Sequence, residues 1–130
     1  MQELMGHTIR HIYVNGDQHI LVFDTDNGKL SYETTADCCS ETWFADIIGV
    51  PYLLSATVQA VSRSVLPEVN DGRTRQEVDE FYGVSLDTSK GHVDIVFRNS
   101  SNGYYGGNIE LCTKGYTNLR LTEILADWGA

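Results

Sequence analysis

At 130 residues, with 42% hydrophobic and 21% charged, the chain has the size and balance of one domain (residues 1–130) with one core, and wholesale disorder is excluded. Nine Lys/Arg against eighteen Asp/Glu leave a net charge of -9, which argues against direct nucleic-acid binding through a basic surface. No apolar run approaches the roughly 18 residues of a membrane helix. Met1-Gln2-Glu3-Leu4-Met5-Gly6 also lacks the basic and apolar parts of a secretion signal, so a cytoplasmic protein without a membrane partner is expected.

From His7 to Glu33 the pattern predicts three short strands joined by tight turns. Ile9, Ile12 and Val14 lead into Asn15-Gly16, a hairpin signal because both residue types tolerate positive φ. Ile20-Leu21-Val22-Phe23 is apolar throughout, as in a central strand covered on both faces. Asp26-Asn27-Gly28 turns the chain again, and Leu30, Tyr32 and Thr34 continue with period two.

At Asp37 the pattern changes to one that predicts a short helix over about residues 40–48. Asp37, Cys39 or Ser40 would cap it, Glu41 suits its first turn, and Trp43/Ile47 and Phe44/Ile48 are i,i+4 apolar pairs. Gly49 would stop it, and Pro51 opens a further short turn through Leu54.

Val58 to Leu66 reads as a strand with imperfect alternation, suggesting a bulge, and with Arg63 on the same side as Val61 and Val65. Pro67 through Asp79 reads as a long exposed polar loop. Phe81–Leu86 and His92–Arg98 read as a hairpin around Ser89-Lys90-Gly91, with Val93, Ile95 and Phe97 facing one way and Asp94, Val96 and Arg98 the other. Ile109–Cys112 and Leu119–Ile124 are the remaining strand candidates. The expected fold class is α+β and mostly β: an antiparallel, meander-type sheet of about six to eight strands, with the short helix packed on it.

Two segments stand out. Arg98 to Asn108 combines small polar residues, three glycines and adjacent tyrosines, more than a simple hairpin needs. Read as a binding loop, it offers Arg98, Asn99, Ser101, Asn102, Tyr104 and Tyr105 to a ligand; read structurally, its tyrosines pack on a sheet edge. It is not a phosphate loop, because no Gly-Lys-Ser/Thr follows and it leads into a strand. Asp37-Cys38-Cys39-Ser40 places thiols at the expected helix start, where the dipole would favour a thiolate, so Cys38 or Cys39 could be reactive. The structural alternative makes one thiol core filler and gives the other to the start of the helix.

Cys38, Cys39 and Cys112 make no disulfide framework, and they are expected to stay reduced. Zinc held by these three and a histidine would depart from Cys-x₂-Cys spacing, so neither a metal nor another cofactor is expected, and no catalytic residue is assigned. The acidity first of all serves solubility; the sharper reading is that the loosely clustered acids Glu68, Asp71, Glu77, Asp79 and Glu80, diluted by Arg73 and Arg75, mark a surface for a basic partner such as a nucleic-acid-binding protein.

Together, Asp37-Cys38-Cys39-Ser40-Glu41-Thr42-Trp43-Phe44-Ala45-Asp46-Ile47 and Phe97-Arg98-Asn99-Ser100-Ser101-Asn102-Gly103-Tyr104-Tyr105-Gly106-Gly107 resemble an uncharacterised family of short bacteriophage and prophage proteins, over about Asp37 to Leu111. The resemblance implies a viral accessory protein made inside a bacterium, and it brings no activity or ligand. Three functions compete. The first is a non-enzymatic protein that binds and inhibits or redirects a host protein, such as a defence factor. The second is a binder of a nucleotide-like signal through the Ser100–Asn108 segment. The third, ranked last, is a cysteine-dependent enzyme.

Overall fold

The structure, a computed structural model, describes residues 1–36, 41–66, 78–101, 107–112 and 120–129. After a 3₁₀ turn at Gln2–Leu4 come β1 (Ile9–Asn15), β2 (Ile20–Thr25), β3 (Gly28–Ala36), β4 (Glu41–Ile48), α1 (Val50–Leu53), β5 (Val58–Leu66), β6 (Val78–Thr88), β7 (His92–Ser101), β8 (Gly107–Cys112), β9 (Leu121–Glu123) and β10 (Trp128–Gly129). The expected mostly-β class holds. In place of one meander there are two antiparallel five-stranded sheets, ordered β8-β3-β2-β1-β9 and β10-β4-β7-β6-β5. Among the described residues no helix is long and apolar enough to cross a membrane.

The hairpins form where turn chemistry and alternation agree. β2 runs between β1 and β3, and all four of its apolar residues, Ile20 to Phe23, are buried. The turn at Asp26-Asn27-Gly28 is closed by Thr25, whose hydroxyl donates to the Gly28 carbonyl at 2.6 Å. In β7, Val93, Ile95 and Phe97 are fully buried, while Asp94 and Arg98, on the opposite face, are only half-buried. The bulge expected in β5 lies between Val58 and Ala60, and Arg63 sits across from the buried Val84, its guanidinium 5.7 Å from the Phe97 ring centre.

The helix expected over about residues 40–48 is instead β4, paired with β7 from Glu41↔Ser100 to Ile48↔Asp94. A bulge between Phe44 and Asp46 explains the misreading. It adds a residue between two inward positions, so Phe44 and Ile47, both fully buried, are three apart instead of two. Alternation interrupted in this way imitates a helical period, while Thr42, Trp43, Phe44, Ile47 and Ile48 keep the aromatic and β-branched character of a strand. The helix lies one segment later, at Val50–Leu53, with Pro51 in its first turn.

One apolar cluster serves both sheets. Ile12, Leu21, Phe23 and Tyr32 from the first sheet meet Phe44, Ile47, Val84, Leu86, Ile95 and Phe97 from the second. Tyr32 meets Phe23 edge to face at 5.8 Å and donates its hydroxyl to Glu3 at 3.0 Å. Burial, and then the Glu3 carboxylate, push that hydroxyl far above its ordinary pKa, so it remains a donor. Hydrogen bonds among the described residues stitch the sheets together. Gly6 and Val58 carry hydrogen bonds between the entry to β1 and β5 (Gly6 N to Val58 O 2.8 Å, Val58 N to His7 O 3.0 Å). Gln18 clasps β4, its carbonyl accepting from Phe44 N at 2.8 Å and its side-chain amide donating to Phe44 O at 3.1 Å.

Gly49 joins β4 to α1 with φ +95, and a Cβ there would lie 2.5 Å from the His92 carbonyl oxygen. Gly49→Ala therefore combines left-handed strain with a backbone clash, and should lower unfolding stability by about 1–3 kcal/mol or more in denaturant titration. Gly16→Ala, with nothing within 4 Å of the added carbon, should cost far less.

Candidate functional site

Register brings the two unusual segments together. Glu41↔Ser100, Thr42↔Asn99 and Trp43↔Arg98 lay the start of β4 along the end of β7. In the other sheet, Ala36↔Gly107 lays the end of β3 along the start of β8. Residues 37–40 and 102–106 therefore leave and re-enter the described fold at the same end of the two sheets. β6 begins there as well, with Val78↔Ser101, Asp79↔Ser100 and Glu80↔Asn99, and β5 ends with Leu66↔Phe81, beside Arg98. The flanks of residues 67–77 thus converge on that end.

The β1–β2 turn completes this end from the first sheet. Asn15, almost fully buried, accepts at its side-chain oxygen from His19 N (2.9 Å) and Ile20 N (3.0 Å), which fixes the turn. The turn presents Gln18, at φ 61, to β4. His19 Nδ1 lies 2.8 Å from the Thr34 hydroxyl, two residues before β3 ends.

Of the residues expected to bind a ligand, Arg98 lies in β7, its guanidinium 5.4 Å from the ring centre of Trp43, its register partner. Asn99 and Ser101 continue β7, so they belong to a strand and not to a loop. Asn102, Tyr104 and Tyr105 lie outside the described residues. Of the expected partner-binding acids, Asp79 and Glu80 belong to β6, because backbone pairing with β7 extends the strand back to Val78; this corrects the loop expected through Asp79. Glu68, Asp71 and Glu77 lie outside the described residues, as do Cys38 and Cys39. The expected helix start that was to activate those thiols is replaced by the beginning of β4.

Sequence reasoning missed Trp43 as the partner of Arg98, and Gln18 and His19 as members of this end. Trp43 was legible only as a core residue of a helix. Gln18 and His19 follow the Asn15-Gly16 turn signal, which says nothing about what the turn touches.

The opposite end carries a different group. His92 Nδ1 is 2.9 Å from Asp87, its Nε2 is 2.9 Å from Asp94, and Ser85 donates to Asp94 at 2.8 Å. Hydrogen bonds to Asp87 and then to Asp94 raise the His92 pKa above its ordinary value. The serine reaches the aspartate and not the imidazole, so this is no nucleophile–base pair.

The family model described as Domain of unknown function (DUF7448) matches residues 2–111. An uncharacterised protein of Acanthamoeba polyphaga mimivirus is 32% identical over 100 residues, which cover 71% of this chain and 74% of that protein. No solved structure matches the chain.

Two tests follow from these geometries. A double-mutant cycle of Trp43→Leu and Arg98→Ala should give a coupling of about 0.5–1 kcal/mol in denaturant unfolding, as a partly exposed cation–π pair would. Because the folded pKa of His92 is raised, its contribution to stability is complete below the unfolded value near 6.5 and fades as pH rises through the folded value. Thermal unfolding should then show His92→Gln costing more at about pH 5.5 than at about pH 8.5.

Proposed function

The chain belongs to the DUF7448 family and has a viral relative, which supports a viral role; we propose further, on the resemblance of Asp37–Ile47 and Phe97–Gly107 to bacteriophage and prophage proteins, that it is a phage accessory protein acting in the cytoplasm of a bacterial host. In this reading it binds a host protein, basic or itself nucleic-acid-binding, and inhibits or redirects it, a defence factor being the kind of target in view. The observation that carries the reading is the convergence of the strand ends flanking residues 37–40, 67–77 and 102–106 at one end of the two sheets. A double sheet that brings the flanks of three connections to one end suits recognition, because a packed scaffold holds connecting segments in place for a partner.

Charge supports a basic partner. The net charge is -9, and five acids fall between Glu68 and Glu80. Electrostatic complementarity of this kind accelerates encounter and selects partners by sign. A second reading rests on Arg98 over Trp43 beside the Ser100–Asn108 segment. A planar cation over an aromatic ring, with Arg98 a few residues ahead in sequence of Tyr104 and Tyr105, would suit a nucleotide-like signal, which stacks and carries negative charge.

Affinity capture of a host protein from bacterial lysate separates the two. The host-protein reading expects stoichiometric capture that weakens as salt rises from about 0.05 to 0.3 M. Glu77→Gln, Asp79→Asn and Glu80→Gln combined should reduce capture at least about tenfold. Capture indifferent to both changes contradicts the electrostatic reading. A small molecule released by heat, lost in Tyr104→Ala and Tyr105→Ala, would favour the second.

A further inference from the structure

The chain carries three Asn-Gly pairs, Asn15-Gly16, Asn27-Gly28 and Asn102-Gly103. The last lies outside the described residues. The other two start from the same chemistry. Asparagine is a thermally labile residue, and a following glycine, having no Cβ, leaves its own backbone nitrogen open to approach the asparagine carboxamide. The two turns treat that chemistry in opposite ways.

Asn15 is almost fully buried, and its carboxamide is pinned, the side-chain oxygen accepting from His19 N at 2.9 Å and Ile20 N at 3.0 Å. Its backbone carbonyl accepts from Gln18 N at 3.1 Å. Freeing the carboxamide therefore means opening the turn that clasps β4. Asn27 is exposed. The backbone around it is held: Asn27 N donates to Thr25 Oγ1 at 3.1 Å, and the Thr25 hydroxyl donates to the Gly28 carbonyl at 2.6 Å. Asp26 is held as well, lying 3.2 Å from His7 Nδ1 and accepting from Thr8 N at 3.3 Å. Among the described residues no hydrogen bond holds the Asn27 carboxamide. A Cβ built on Gly28 would meet nothing within 4 Å, so the space beside it is open.

We propose that Asn27 is a site of spontaneous covalent modification, its carboxamide converting to a carboxylate with loss of ammonia, while Asn15 persists as asparagine in the folded chain. The Gly28 nitrogen gives up its proton to water or hydroxide and attacks the carboxamide carbon of Asn27. The new C–N bond closes a cyclic imide, the bond to the side-chain nitrogen breaks, and that nitrogen takes a proton and leaves as ammonia. Water then opens the imide. Opening at the side-chain carbonyl gives an aspartyl residue, and opening at the main-chain carbonyl gives an isoaspartyl one. Either product adds a negative charge to the β2–β3 turn. The isoaspartyl product also adds a methylene to the main chain inside the span that Thr25 clamps.

The test holds the folded full-length chain warm at mildly alkaline pH, beside a sample kept in denaturant. Trypsin cleaves after Arg10 and Lys29, so tandem mass spectrometry of one peptide, His11–Lys29, reads both asparagines. In the folded chain Asn27 should convert at least about tenfold faster than Asn15, because reaction at Asn15 waits for its turn to open. In denaturant the two rates should come together, and Asn27→Ser should leave the folded peptide unconverted. Asn27 retained in the folded chain while the denatured chain converts overturns the proposal. Equal rates in the folded chain overturn it too, as does an Asn27 advantage that persists in denaturant, since neighbouring sequence and not the turn would then decide the site.

Discussion

The constraint on which the rest of the structure depends is the burial of one apolar layer shared by two sheets. Phe23, Leu21 and Tyr32 on one side, and Phe44, Ile47, Ile95 and Phe97 on the other, are excluded from water only because the sheets face each other. Each such side chain contributes about 1.5–3 kcal/mol when fully buried. Neither sheet can keep this benefit alone, so the chain must cross between them. It crosses after β3, after β7 and again between β9 and β10.

The functional reading follows from those crossings. Two of them, residues 37–40 and 102–106, join the same pairs of neighbouring strands, and the ends of β5 and β6 flanking residues 67–77 adjoin them. The flanks of segments that are 25 or more residues apart in sequence are therefore brought to one end by register alone. The Gln18 clasp on Phe44 holds the two sheets together there, and Arg98 over Trp43 lies on the outer face beside it. The opposite end is closed by hairpin turns and the His92 group. Because the candidate residues collect where the crossings are, a partner at that end would meet side chains from several strands held by a single core.

Much of this was legible in the residues, and for identifiable reasons. Period-two alternation in β3 and β7 and the turn residues at Asp26-Asn27-Gly28 and Ser89-Lys90-Gly91 are local signals, and the structure follows them. β4 was misread because its bulge between Phe44 and Asp46 spaces buried residues three apart, a distance that a helix also produces. The division into two sheets was beyond reach, since it depends on pairings such as Ala36↔Gly107 and Tyr13↔Glu123 that no local pattern encodes. The candidate site was half legible: composition singled out the two segments, but their adjacency required the β4–β7 register. The extents of β6 and β7 were understated for the same reason, because Asp79, Glu80, Asn99 and Ser101 look like loop residues until their backbones find partners.

That adjacency rests on β4 being a strand laid against β7, and nuclear Overhauser contacts between backbone protons test it most directly. The account predicts cross-strand contacts between Thr42 and Asn99 and between Phe44 and Phe97, with sequential contacts of extended backbone from Glu41 to Ile48. Contacts between each α proton and the amide three residues later over that stretch, with no contact to β7, would make it a helix and contradict the placement of the site.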